Sequence, residues 1–184
     1  MEPLEILKNE HGLIRQFLEN LEEALKKLEI EQRPPRAFFD QAIRFVKMFP
    51  EGYHHHKEEL VMFVQVAQKH SGEFDGEIEA LRHQHEMARN YISNLALALN
   101  GYEDGAQIQT DQVIENVAAY VALMRNHIHK EDHKFFPMVA EALTPEEVDA
   151  LMVEFDREAE KAGPHAFEEA HMLVVEMGST LVHM

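Results

Sequence analysis

Two His-x-x-x-Glu pairs, His54/Glu58 and His127/Glu131, and two single histidines, His11 and His85, are the residues whose types and spacing offer chemistry. A separation of four puts each pair on one face of a helix, about 40° apart around its axis. Imidazole and carboxylate donors without thiolate suit iron or manganese, and zinc less well. If both carboxylates bridge, each of two cations receives two imidazoles and two carboxylate oxygens. A position is then left for a small ligand such as dioxygen. The chain has no cysteine, which removes disulfides, thiolate nucleophiles, iron–sulfur clusters and sulfur-ligated zinc.

Helices must position these six. In the first helix, expected over about 4–30, Leu4, Leu7, His11, Ile14, Leu18, Leu21, Leu25 and Leu28 alternate steps of three and four, the seam of a packed bundle helix. It stops before Arg33-Pro34-Pro35. A third helix, about 73–99, repeats the pattern with Ile78, Leu81, His85, Ala88, Ile92, Leu95 and Leu99. A fourth, about 110–141, runs Val113, Val117, Tyr120, Met124, His127, Glu131, Phe135 and Met138. The second, about 36–69 with a bend near Pro50-Glu51-Gly52, has a less clean register: Phe39, Ile43, Val46, Pro50, His54, Glu58, Met62. Partners within each hairpin lie at similar depth from their turn, at ~1.5 Å per residue, so one shared site is possible. Two buried carboxylates beside four imidazoles form either a proton-sharing network or a metal cage, because a buried carboxylate with no partner is costly.

The chain repeats itself. His54-His55-His56-Lys57-Glu58-Glu59 followed by Phe63 matches His127-Ile128-His129-Lys130-Glu131-Asp132 followed by Phe136, displaced by 73 residues. His11, Arg15 and Leu18 match His85, Arg89 and Ile92, displaced by 74. A pseudo-twofold bundle is expected. His55/Glu59 has the same spacing as His54/Glu58, and the repeat favours the latter. On regular helical stepping His55, His56, His129 and His133 fall away from the proposed ligands and read as surface residues. His83 faces opposite His85, and His70, His165, His171 and His183 belong to ends and tail. Arg15 and Arg89 serve equally well as outer partners of the site or as surface charges.

A net charge of −17 argues against nucleic acid or an anionic membrane as partner, since phosphate contacts need clustered Lys and Arg. No apolar run approaches ~18 residues and no basic stretch leads into one, so neither membrane span nor signal peptide is expected, and the cytoplasm is the default location. Thr144-Pro145-Glu146-Glu147 reads as a capping box opening a fifth helix to about 161. Gly163-Pro164 breaks it, and a short last helix follows over about 165–177. The expected organisation is a bundle over 1–143 and a helical extension over 144–184 whose apolar residues cover the bundle or make a homodimer contact.

Glu10-His11 with Ile14-Arg15, the two His-rich strings with Phe63 and Phe136-Pro137, and His85-Glu86 together resemble the hemerythrin-like, or HHE cation-binding, family over about residues 4–141. The resemblance implies an all-α, up-down-up-down antiparallel four-helix bundle. It also implies a carboxylate-bridged centre of two iron ions on His11, His54, Glu58, His85, His127 and Glu131, with manganese as the alternative. One departure matters: oxygen-carrying members have a His-x-x-x-His pair on the third helix, and Leu81 stands there, leaving four seam histidines. The implied roles are binding of O2, NO or peroxide for sensing, storage or stress defence. A ferroxidase, a peroxide-scavenging enzyme or an iron-centre repair protein is the alternative, and a metal-free helical interaction module the third reading.

Overall fold

The structure, a computed structural model, describes residues 2–69 and 72–184; His70 lies outside them. It is all-helical, with no strand among the described residues. α1 spans Pro3–Glu29, with proline in the first turn, where a missing N–H costs nothing. Its expected seam is its buried face: Leu7, His11, Ile14, Leu18, Leu21 and Leu28 are buried, with Leu4 and Leu25 partly so. α5 spans Asp75–Tyr102 and α6 Gln107–Lys130. They pack on each other, α6 also packs on α1, and every seam position named above in α5 is buried.

The second helical stretch departs from the regular form. α2 (Arg36–Val46) passes without a break into a π-helical segment, Lys47–His54, then α3 (His55–Lys57), a second π segment, Glu58–Met62, and α4 (Phe63–Lys69). A third π segment, Glu131–Phe135, joins α6 to α7 (Phe136–Ala142). The local cause of the first is readable. Pro50 has no N–H to give, and its ring crowds the preceding turn of a regular helix. The wider turn relieves this, and the His55 N–H reaches the Pro50 carbonyl five residues back. Gly52 is required there, because a Cβ would sit 2.8 Å from the Lys47 carbonyl oxygen. In the other two segments the carbonyls of Glu58 and Glu131 accept from Phe63 and Phe136, again five residues on.

The bend expected near Pro50 is thus a run of widened turns, and the expected register of the second stretch fails in part. Ile43 is only partly buried, whereas Phe38, Phe45 and Phe49 are fully so. A second cover explains them. α8 (Pro145–Ala162) and α9 (Ala166–Val182) lie on the outside of this stretch, α9 against α1 and α2, α8 against α1 and the π segments. α8 opens with the capping box read from sequence: Thr144 Oγ1 accepts the Glu147 N–H, and Glu147 Oε2 accepts the Thr144 N–H at 2.9 Å. α9 runs five residues further than expected, to Val182.

The apolar interior falls into two clusters. Ile14, Ala88, Met124 and Phe49 belong to one; Leu7, Leu81, Phe135 and Met62 belong to the other. Between each of these pairs along its helix lie His11, His85, His127/Glu131 and His54–Glu58. A polar layer therefore crosses the interior where the two clusters meet. No helix among the described residues is long and apolar enough to cross a membrane.

Candidate metal centre

His11, His54, Glu58, His85, His127 and Glu131 all have 0% exposure and converge on that layer. His11 comes from α1, His85 from α5 and His127 from α6. His54 closes the first π segment, and Glu58 and Glu131 open the second and third. Glu58 spans two histidines, with Oε1 3.4 Å from His54 Nε2 and Oε2 3.4 Å from His85 Nε2. Glu131 Oε2 lies 3.2 Å from His11 Nε2 and 3.1 Å from His127 Nε2. Exchanging the two halves by the sequence repeat maps this set of contacts onto itself.

One reading is corrected. His55 is not a surface residue: it is 2% exposed, with its ring stacked on that of His85 at 3.8 Å. Neighbours in a regular helix point about 100° apart, which is why sequence stepping placed it outside. Here it follows one π segment and precedes another, and the widened turns bring both His54 and His55 to the interior. The donors form two groups, His55/Glu58/His85/His127 and His11/His54/Glu58/Glu131, each with one donor atom per residue lying within 4.8 Å of the others. Of the remaining histidines, His83, His129 and His133 are exposed as expected. His56 is partly exposed and pairs with Glu158.

The outer nitrogens decide what the layer is for. All five imidazoles turn Nδ1 away from the centre onto an oxygen: His11 to Asp132 at 2.8 Å, His54 to Glu10 at 2.8 Å, His55 to Glu51 at 3.1 Å, His85 to Glu59 at 2.7 Å and His127 to Gln84 at 3.0 Å. Metal-binding histidines are held in this way, with the outer N–H bonded so that the inner nitrogen presents its lone pair. Arg15 binds Asp132, and Arg89 joins Glu51 (Nε at 2.6 Å) to Glu59, so both arginines are partners of the site. Sequence reasoning missed the outer acceptors because each flanks a seam and reads as a solvated helix face. The repeat is the signal that pairs Glu10 with Gln84 and Glu59 with Asp132.

The inner atoms are the orphans. His11, His54 and His55 Nε2, and all four carboxylate oxygens of Glu58 and Glu131, are buried without a hydrogen-bond partner. His85 and His127 Nε2 stand 3.1 Å apart. With both Nδ1 protons turned outward, two lone pairs face each other there, which is repulsive unless a cation lies between them. Burial also pushes the His54, His55 and His85 imidazoles toward neutrality, His85 to about 3. Burial, and then the charge of Glu131, raise the Glu58 carboxyl. Burial lowers His11 too, but its hydrogen bonds to Asp132 and Glu131 outweigh that and raise it. Five inward-facing imidazole nitrogens and two carboxylates thus fit a cation site. A cation with ~2.1 Å bonds holds neighbouring donors about 3 Å apart, close to the 3.1–3.4 Å separations found here.

Outside this layer lies a buried ion pair. Lys57 is 1% exposed, bonds Glu10 and sits 3.7 Å over the Tyr53 ring. Burial pushes Lys57 down and Glu10 up, each opposed by the other's charge. On opposite sides, Phe136 lies parallel to His11 (centroids 5.6 Å) and Phe63 parallel to His85 (6.2 Å), a pair displaced by the same 73 residues.

Helical architecture and buried layer together define a protein built around a His/Glu cluster suited to cations. The chain belongs to the hemerythrin HHE cation-binding domain family, whose model matches residues 2–139. Among curated proteins it is similar to Uncharacterized protein Mb2018 of Mycobacterium bovis and Uncharacterized protein Rv1995 of Mycobacterium tuberculosis, each 24% identical over 165 residues, or 89% of this chain. It spans 64% of the length of these relatives. No solved structure matches it significantly.

Proposed function

We propose that the protein is a non-haem di-iron protein that binds a small ligand such as O2, NO or peroxide for sensing, storage or stress defence. In this reading residues 1–143 form an up-down-up-down four-helix bundle and 144–184 an extension packed on it. One iron is held by His55, His85 and His127, the other by His11 and His54, and Glu58 and Glu131 are shared. The observation that carries it is the set of orphaned inner atoms on imidazoles whose outer nitrogens are all anchored.

Adding His55 changes the count that Leu81 had left at four. Five histidines divide three and two, so the His11/His54 side has one imidazole fewer and is the side we assign to an incoming ligand. Iron bound there would supply redox chemistry and Lewis acidity toward the ligand. The chain's own residues do the rest. The anchored Nδ1 groups fix the orientation of the imidazoles, and Phe63 and Phe136 shield the layer from water.

Metal analysis with absorption spectra, with and without oxygen, tests the reading. Two irons per chain and near-ultraviolet charge-transfer bands are expected. Chelation should lower thermal stability by several degrees, since a ligand bound only to the folded state stabilises it. Protein lacking iron near stoichiometry, with stability indifferent to chelator, would sink the proposal.

A further inference from the structure

A cavity of about 230 Å³ lies between the start of α1, α7 and α8. Leu4, Phe136, Ala140, Leu143, Val148 and Leu151 line it, together with Glu2 and the Lys8–Glu5 pair (2.9 Å). The Phe136 ring that lines it is the one lying parallel to His11, with 4° between the planes. One aromatic side chain therefore stands between this space and the group that lacks a third imidazole. Ala140, Leu143, Val148 and Leu151 lie beyond the span matched to the family, so the roof is built by this chain's later helices.

The pseudo-symmetric counterpart is about twice the size and differs at its aromatic wall. Phe63 borders a cavity of about 470 Å³, but Asp75, Glu79 and Arg82 share that lining, and Arg82 sits over the Phe63 ring at 6.0 Å. Behind Phe63 is His85, in the group with three imidazoles. Charged residues line both cavities, and at Phe63 one of them, Arg82, stands over the ring itself.

Resting on the di-iron reading, we infer that the cavity beside Phe136 is the antechamber through which an uncharged apolar diatomic reaches the His11/His54 side. Phe136 is the last partition. That partition selects the ligand class. Glu2, Glu5 and Lys8 can bond a polar guest within the cavity, but the Phe136 ring it must pass offers nothing in exchange for the hydrogen bonds peroxide would leave behind, and stripping them is costly. O2 and NO lose little. Far smaller volumes than this hold a water-sized guest, and dry apolar cavities take up xenon.

Xenon and NO test it on the full-length protein. Xenon should occupy this cavity in a pressurised crystal, and Val148→Trp, at a half-buried wall position, should exclude it. In iron-loaded protein, NO association should slow about tenfold in Val148→Trp and quicken by a similar factor in Phe136→Ala, the size of a modest change in barrier. Iron content and absorption spectrum should not change in Val148→Trp. If Phe136→Ala fails to fold, Val148→Trp decides alone. Xenon absent from the cavity, or NO rates unchanged in iron-loaded variants, overturns the route while leaving the di-iron reading standing. Protein that takes up no iron overturns both.

Discussion

The half made of α1 and residues 36–69 and the half made of α5 and residues 107–142 each supply two histidines and a glutamate to the centre through different supports, and the first half adds His55. His11, His54 and Glu58 correspond to His85, His127 and Glu131, and Arg15 to Arg89. The outer layer has diverged. His54 is anchored by Glu10, whose charge is met by buried Lys57; His127 is anchored by the neutral amide of Gln84, and Lys130, matching Lys57, is exposed. His55 with its anchor Glu51 faces the centre in the first half. Ile128 and Met124 stand at those positions in the second. Among the inner donors, Glu58 belongs to both groups. The supports can differ as long as each imidazole keeps an acceptor and each buried charge keeps a partner.

The largest expected effect comes from removing what the halves share. Glu58→Ala should empty both groups, so that iron content falls from two per chain toward zero. One iron retained at full occupancy would show that the carboxylate serves a single group. Next, His55→Ile makes the first half imitate the second. Loss of a donor should weaken iron at the three-imidazole group by more than the ~10–100-fold typical of an outer partner. Iron-57-loaded variant should give one Mössbauer doublet in place of two, and two distinct doublets would contradict the assignment. The smallest effect tests the supports. Glu10→Gln copies Gln84 and keeps an acceptor for His54, but leaves Lys57 buried without its counter-charge. Denaturant unfolding should register about 3–5 kcal/mol of destabilisation, largely recovered in Glu10→Gln/Lys57→Met. An unaltered midpoint in the single variant would mean Lys57 finds water or another partner.

How far this comparison was visible in the sequence depended on helix regularity. α1, α5 and α6 keep one phase from end to end, so His11, His85 and His127 showed as interruptions of an aliphatic seam, and Glu131 fell at the first residue of the third π segment. The stretch 36–69 changes phase at Pro50 and again at Glu58. Stepping through it at a constant angle hid His55 and left Phe38, Phe45 and Phe49 unexplained. Those phenylalanines also answer to α8 and α9, and a partner arriving from more than a hundred residues away leaves no mark on local periodicity. The outer acceptors were obscured for another reason: a glutamate beside a seam looks the same whether it meets solvent or an imidazole.

The anchoring of every Nδ1 has a bearing on selectivity. Rings fixed from behind cannot close on an undersized ion or spread for an oversized one, so the aperture is set before any ion arrives. Discrimination among divalent metals would then follow ionic radius and preferred polyhedron rather than the general affinity order, which favours copper at most nitrogen-rich sites.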